Sequence, residues 1–175
     1  SEGEGSGKNG LEQSKLSVGV MPIVDTAAFH YALDNGYFEK EGLEVEPRTI
    51  QGGADGIPLL ANGELDITWG NWVSYFQAQQ KGAVDLSLLT DGYRAKKGMF
   101  LTMAAPGKGI SKPEDLKGKK IAVNTTKNVV ELSTLAALKP YGVTKNDVEF
   151  VELPFPDMPA PLQRGDAGAA RMLGP

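Results

Sequence analysis

Short apolar segments alternate with short helix-forming segments along this chain, and glycines and prolines separate them. In the first half, the pattern predicts strands over 15–21, 43–50, 65–69 and 84–90, and helices over 27–34, 57–62 and 73–81. Pro58 is placed in the first turn of its helix, where a missing N–H group costs little. Alternation with short links is typical of an α/β fold, in which helices cover a mostly parallel sheet.

The second half repeats this alternation. It predicts strands over 99–104, 120–124, 148–153 and 167–173, a capped helical turn over 111–116, and helices over 129–138 and 158–164. The segment 60–69 is echoed weakly by 162–171, since each is a leucine-containing helix end, a glycine and a short strand. The echo favours two lobes of related topology, and a chance similarity is the alternative.

Composition excludes several classes of function. The chain has 175 residues, a net charge of −4, no cysteine, and His30 as its one histidine. Disulfides, thiolate metal sites and cysteine nucleophiles are therefore excluded, and a lone histidine inside a predicted helix serves neither a zinc site nor a serine nucleophile. No phosphate-binding, dinucleotide-binding or nucleophile-elbow motif occurs. We expect a binding protein that is not an enzyme and has no cofactor or metal; without a basic arm, nucleic acid is not expected as a partner.

The N-terminal residues 1–14 are rich in Gly, Ser and charge, which predicts a flexible tether. Two origins stay open: a spacer that follows a removed signal or lipoprotein leader, or a remnant of an expression vector. No run of about 18 apolar residues occurs, so the sequence predicts no membrane-spanning helix.

The candidate binding residues follow the predicted strands. In open parallel sheets, ligands bind beyond the carboxyl ends of the strands. Helix starts at these positions offer free N–H groups and a positive dipole end, which suit anions such as sulfonate, nitrate or carboxylate. The predicted ligand-binding residues are Pro22, Ile23, Val24, Asp25, Gly52, Gly53, Ala54, Asn71, Trp72, Thr125, Thr126, Lys127 and Asn128.

Several of these residues also have structural interpretations. Asp25 is either a helix N-cap or, if it faces the ligand, a contact for a cationic or hydroxylated group. Asn71 is an N-cap candidate, a role that is compatible with ligand contact, and Asn128 is predicted to cap the helix 129–138.

Three further sites leave two interpretations open. Trp72 is either a core residue or an apolar wall for the ligand. Gly52–Gly53 is either a turn that needs positive φ or a point where a ligand approaches the backbone closely. Lys127 is either solvated or a contact for an anion.

Four segments carry a family resemblance. KLSVGVMPIVDTAAFHYALDNGYFEKEGLEVEPRTI (15–50), Gly52–Gly53, LANGELDI (60–67) and SKPEDLKGKKIAV (111–123) together resemble the taurine, aliphatic-sulfonate, nitrate and thiamine-precursor binding proteins of ABC importers. The resemblance covers nearly everything after residue 15, and no part of it specifies the ligand.

The resemblance implies a two-lobed, periplasmic-binding-protein type II-like α/β fold. It places lobe one at 15–98, a crossover strand at 99–104 and an incomplete lobe two at 105–175, with the ligand in a cleft between the lobes. It further implies an extracytoplasmic protein, periplasmic or lipid-anchored, that delivers a small anion such as a sulfonate or nitrate to a membrane permease. A thiamine-precursor pyrimidine is an alternative ligand.

Two departures from the family pattern complicate this interpretation. Relatives are nearly twice as long, and they have Asp, Trp and Glu where this chain has Gly168, Arg171 and Gly174. We therefore expect a truncated form, whose open sheet edges favour an element-exchanged homodimer. A non-transporting paralogue that serves as an interaction module is the alternative. An enzyme like the pyrimidine synthases of thiamine biosynthesis is disfavoured, because those depend on cysteines.

Overall fold

The computed structural model describes residues 10–92 and 94–173. It divides the chain into a first unit, Ser1–Gly70 with Tyr75–Tyr93, and a second unit, Asn71–Ser74 with Arg94–Pro175. Residues 1–9 of the predicted tether lie outside the described ranges. Each unit contains one sheet, called sheet A in the first and sheet B in the second.

Sheet A is a three-stranded parallel sheet with the order β2-β1-β3. The elements, in chain order, are β1 (Lys15–Val20), a 3-10 turn (Val24–Thr26), α1 (Ala27–Asp34), α2 (Tyr37–Lys40), β2 (Glu44–Thr49), α3 (Gly53–Ala61), β3 (Ile67–Thr68) and α4 (Trp72–Gln80). Every connection between paired strands contains helix, as parallel pairing requires.

The core of the first unit lies where α1 packs on β1. Val18, Val20 and Phe29 are buried there, and the rings of Phe29 and Trp69 meet edge to face with centroids 5.9 Å apart. On α3, Gly56 lies so close to Thr68 that an added Cβ would come within 2.9 Å of the Thr68 Cβ atom. The absence of a side chain at position 56 therefore sets how closely α3 approaches β3.

Two predictions for the first unit are wrong. The segment 84–90 forms no strand; it follows α4 as an irregular segment in which the Leu89 side chain is 70% exposed. A β-branched and leucine-rich segment becomes a strand only when an edge is available to pair with it. Helix α3 begins at Gly53, four residues earlier than predicted, so Pro58 lies inside the helix rather than in its first turn.

The outer strand β2 has the sequence EVEPRT, and most of it is exposed. Pro47 pairs with Val18 across the ladder at the edge of the sheet. Proline and charged side chains are typical of edge strands that do not pair further.

Sheet B has the order β4-β7-β5-β6, in which β5 pairs in parallel with β6 and β7, and β4 pairs antiparallel with β7. Its elements are β4 (Phe100–Met103), a 3-10 turn (Pro113–Leu116), β5 (Lys120–Val123), α5 (Val129–Leu138), 3-10 turns at Lys139–Tyr141 and Lys145–Asp147, β6 (Glu149–Glu152), a 3-10 turn (Phe155–Asp157), α6 (Pro159–Arg164) and β7 (Ala169–Leu173). The predicted α/β class with mostly parallel sheets is confirmed.

Sheet B is buried on both faces. Ile121 and Ala169 face one cluster with Leu138 of α5, while Ala122 and Ala170 face the other with Met158. A parallel strand that is covered on both faces reads as a continuous apolar run, as IAV does in β5.

The predicted capped turn at 111–116 is confirmed in 3-10 form. The Asp115 carboxylate accepts hydrogen bonds from Ser111 N (2.9 Å) and Lys112 N (3.1 Å). The bond from the Ser111 backbone leads the contributions that lower the Asp115 pKa. No helix within the described ranges is both long and apolar enough to cross a membrane.

Candidate functional site

Parallel pairing brings two of the predicted segments to one edge of sheet A. Residues 22–25 follow β1 directly, and residues 52–54 follow its neighbour β2. Asn71 and Trp72 follow β3 in sequence and begin α4. In sheet B, residues 125–128 follow β5 at the edge where the parallel strands β6 and β7 also end.

The segment after β1 is held by Thr26 and not by Asp25. The buried Thr26 hydroxyl donates to the carbonyls of Met21 (2.9 Å) and Ile23 (2.8 Å). Thr26 occupies the N-cap position of α1 and its side chain makes no capping bond, so the N-cap interpretation of Asp25 is wrong. Among the described residues, the Asp25 carboxylate has no hydrogen-bond or ion-pair partner, which leaves a half-exposed negative charge at this edge.

The segment after β2 contains no left-handed turn. Gly52 is extended, with φ −162° and ψ 161°, and Gly53 already begins α3, so the positive-φ interpretation of this pair is wrong. The Asp55 carboxylate accepts from the N–H groups of Gln51 (3.2 Å) and Gly52 (3.1 Å). This carboxylate therefore occupies two of the amide donors that an anion would need.

The segment after β3 is capped as predicted. Asn71 Oδ1 accepts from Ser74 N (3.1 Å), and Asn71 Nδ2 donates to Ser74 Oγ (3.2 Å), so both amide atoms are engaged. The Trp72 side chain is 49% exposed, which excludes the fully buried core position.

At the tip of β5, Thr126 is bound to an acidic side chain. Its N–H group (2.7 Å) and hydroxyl (2.5 Å) both donate to Glu152 Oε1, on the end of β6. The bond from the Thr126 hydroxyl and then that from its N–H lower the pKa of Glu152. Both Thr126 donors are thus already engaged by this carboxylate.

Lys127 has φ +55°, the left-handed region that side chains disfavour. Its N–H donates to Glu131 Oε2 (2.7 Å), and Lys145 Nζ lies 2.9 Å from Glu131 Oε1. Burial tends to raise the pKa of Glu131, but the bonds from Lys127 and Lys145 outweigh it, so the pKa lies below its ordinary value. The buried Glu131 carboxylate therefore helps to fix the backbone of this loop.

Asn128 caps α5 as predicted, because its Oδ1 atom accepts from Val130 N at 2.9 Å. The residue is 2% exposed, and its Nδ2 atom has no hydrogen-bond partner. The Oδ1 atom of Asn124, which begins the same loop, also has none. The β5 tip therefore contains a buried donor and a buried acceptor that remain unsatisfied within the protein.

Asn124 ends the predicted strand 120–124 and directly precedes the predicted site residues 125–128. The sequence pattern that identifies Asn124 is a polar residue placed directly after a buried apolar strand. Two cavities lie on the surface, and none of the predicted site residues lines either of them. One, of about 460 Å³, is lined by Tyr37, Phe38, Lys40 and Glu41. The other, of about 340 Å³, is lined by Thr102, Ala104, Ile110, Ser111, Lys112, Pro113, Leu116, Leu138 and Ala169. Within the described ranges, no group of three or more acidic, His or Cys residues is placed to hold a metal ion.

Solved structures establish the fold. The ligand-binding component of an ABC-type import system from Staphylococcus aureus superposes with a TM-score of 0.74 at 15% identity, over 92% of this chain and 55% of that chain. The periplasmic aliphatic sulphonate binding protein of Escherichia coli gives 0.66 at 19% identity, over 93% and 55%. The predicted periplasmic-binding-protein-like fold is confirmed, and this chain spans about half the length of each of these proteins.

Sequence comparison identifies the family. The taurine-binding periplasmic protein of Escherichia coli (strain K12) is 34% identical over 143 residues, which cover 81% of this chain and 43% of that protein. These three relatives are binding proteins by name, in agreement with the prediction that the chain is not an enzyme. The family model described as NMT1/THI5 like matches residues 24–173. Because that match covers most of the sequence, this chain belongs to the NMT1/THI5-like family.

Proposed function

We propose that this chain is an extracytoplasmic solute-binding component of an ABC importer and that it binds a small organic sulfonate of the taurine class. The observation that carries the proposal is the buried Asn128 Nδ2 atom, a donor without a partner at the first turn of α5. A buried donor costs free energy until an acceptor binds it, and a helix N-terminus favours an anionic acceptor. The 34% identity to a taurine-binding protein supports the ligand class.

Taurine combines a sulfonate with an ammonium group, and the strand-tip residues suit both. In the second unit, the Asn128 amide is suited to sulfonate oxygens. In the first unit, the Asp25 carboxylate, which has no partner among the described residues, is suited to an ammonium group. Nitrate has no cationic group and would give Asp25 no role. We therefore favour an amino sulfonate over nitrate.

The contact segments in this proposal are those predicted from the sequence: 22–25, 52–54, 71–72 and 125–128. The lobe boundaries 15–98 and 105–175, with a crossover strand at 99–104, and delivery to a membrane permease are parts of the same proposal. Lipid anchoring through the N-terminal segment 1–14 is a further part of it.

Calorimetry on two matched serine variants tests the assignment. Asn128→Ser keeps a capping oxygen but removes Nδ2, and we expect it to weaken taurine binding by about tenfold or more. Asn35→Ser makes the same change at an exposed residue outside the proposed contact segments, where Nδ2 donates to the Tyr31 carbonyl, so its affinity is expected to match the wild type. Equal affinities for both variants would remove Asn128 from the site.

Ethanesulfonate, nitrate and an aminopyrimidine complete the ligand series. Ethanesulfonate lacks the ammonium group, so weaker binding than taurine is expected if Asp25 contacts it. Tighter binding of nitrate or the pyrimidine would overturn the sulfonate assignment.

A second candidate is a non-transporting interaction module. Its support is that Glu152 and Glu131 already engage the N–H groups of Thr126 and Lys127. The absence of a thermal shift with every ligand in the series would favour it, since a bound ligand raises stability by about 2.7 kcal/mol at a hundredfold excess over Kd. Sedimentation analysis tests the associated proposal of an element-exchanged homodimer.

A further inference from the structure

Arg171 is a buried cation in the middle of β7. It is 8% exposed, and its Nη1 atom donates to the Thr102 hydroxyl of β4 at 3.0 Å. Its Cζ atom lies 5.7 Å from the centre of the Phe100 ring, and its Nε atom has no hydrogen-bond partner. The guanidinium is therefore held in place on one side and lacks a partner at Nε.

None of the described carboxylates lies within ion-pair distance of Arg171. Burial lowers the pKa of the guanidinium, the direction expected when a charge loses solvent without gaining a counter-ion. Buried charges in proteins are normally paired, because an unpaired one is expensive. Thr102 and Phe100 compensate only in part, since a hydroxyl and a ring carry no net charge.

The free part of the guanidinium has a defined chemistry. With Nη1 engaged by Thr102, the edge formed by Nε and Nη2 remains. Two parallel N–H groups on one edge match two oxygens of a sulfonate or a carboxylate, which a lysine ammonium group does not reproduce. This geometry favours an oxyanion over a cationic or neutral partner.

The position along the strand also fits a binding role. Arg171 lies two residues before the end of β7 at Leu173, so at about 3.3 Å per residue it is about 7 Å from the edge where the parallel strands of sheet B end. The β5 tip, with the unsatisfied amides of Asn124 and Asn128, ends at the same edge.

We propose that Arg171, positioned by Thr102, is the contact in the second unit for the anionic group of the bound solute. This inference rests on the proposed function and adds the residue that recognises the sulfonate. The family resemblance does not supply it, because the resemblance leads us to expect a tryptophan at this position.

Arg171→Met tests the inference, with Arg164→Met as the matched control. Arg164 is an exposed arginine of the same unit whose Nε atom pairs with Asp166 at 2.7 Å. We expect Arg171→Met to weaken taurine and ethanesulfonate binding in calorimetry by about tenfold or more, and Arg164→Met to leave it unchanged. Arg171→Lys keeps the charge but loses the two-pronged edge, so an intermediate affinity is expected.

Thermal unfolding shows whether the variant folds. Removing an unpaired buried charge is expected to leave the melting temperature of Arg171→Met equal to or above that of the wild type. If Arg171→Met does not fold, the taurine affinity of Arg171→Lys alone tests the inference.

The outcomes separate the two proposals. If the wild type and Arg171→Met bind taurine equally, the inference is overturned and the proposed function stands. If the wild type binds no sulfonate, the proposed function fails. Sulfate, compared with chloride at equal ionic strength, then tests Arg171 directly: it is expected to raise the melting temperature of the wild type more than that of Arg171→Met. An equal response to sulfate would overturn the oxyanion contact.

Discussion

The two units of this chain carry opposite charge. The first contains 14 acidic and 5 basic residues, and the second contains 8 acidic and 13 basic residues. Fields of opposite sign direct an anion towards the basic unit and a cationic group towards the acidic one. Under the proposed function, the second unit is therefore the better candidate to contact the anionic group of a solute, and the unsatisfied Asn128 amide and the buried Arg171 both lie in this unit.

The two units also differ in how their central strands are buried. In sheet B, Ile121, Ala122 and Val123 are fully buried, whereas in sheet A only the second half of β1, from Val18 to Val20, is buried. The second unit therefore has a core on both faces of its sheet and is expected to be the more stable unit.

A substitution at the centre of sheet B should destabilise the protein most. Ile121→Ala is expected to lower the free energy of unfolding by about 2–5 kcal/mol, because a fully buried side chain leaves a cavity between two packed layers. In sheet A, Val18→Ala removes one carbon atom fewer and is expected to cost about 1.5–3 kcal/mol. Urea denaturation combined with hydrogen exchange measures each loss and the unit in which it occurs. A larger loss for Val18→Ala would reverse the comparison of the cores.

An intermediate effect is expected at Gly56 in the first unit. Glycine to alanine inside a helix usually stabilises by about 0.5–1 kcal/mol. Here the added Cβ would meet Thr68, so Gly56→Ala is expected to destabilise by about 1–3 kcal/mol, measured by urea denaturation. A stabilised variant would show that α3 has room to move away from β3 and that the two elements are loosely packed.

The smallest expected effect concerns Glu152 and its dependence on pH. Its hydrogen bonds from Thr126 hold its pKa below the ordinary value, so the charged form stabilises the fold above the ordinary pKa of a glutamate, about 4.3. That stability is lost as the pH falls through the folded pKa. Glu152→Gln, which has no charge to lose, is therefore expected to be less stable than the wild type at pH 7 and to approach it near pH 3.

Glu149→Gln is the control for this measurement. Glu149 lies on the same strand, and its ion pair with Lys120 is exposed, at 3.8 Å. Exposed pairs contribute little, so this variant is expected to follow the wild type across the whole pH range. If Glu149→Gln and Glu152→Gln show the same pH dependence, the Thr126 contact has no special role.

Local sequence patterns predicted the parts of the fold that depend on local interactions. Helix α1 has the predicted bounds, and Asn128 caps α5 as expected. Both features are specified within a few residues, by side chains that bond to their own backbone and by the spacing of apolar residues.

The features that sequence did not predict depend on distant partners. The segment 84–90 has strand-forming composition but is not part of a sheet, because strand formation needs a neighbouring edge. Arg171 is buried because β7 pairs with β4. This pairing places Arg171 beside Thr102, which is 69 residues away in the sequence. No periodicity in either strand indicates that pairing. The unsatisfied amides of the β5 tip also depend on contacts between distant residues, so the sequence alone does not predict them.

Pro47 in β2 makes one edge of sheet A less able than the other to pair with an additional strand. Pro47 has no N–H group to donate, and its neighbours are charged. An additional strand would therefore find fewer hydrogen-bond partners along the outer edge of β2. The opposite margin ends in the two residues of β3, neither of which is proline. Any lengthening of this sheet is therefore expected beside β3 rather than beside β2.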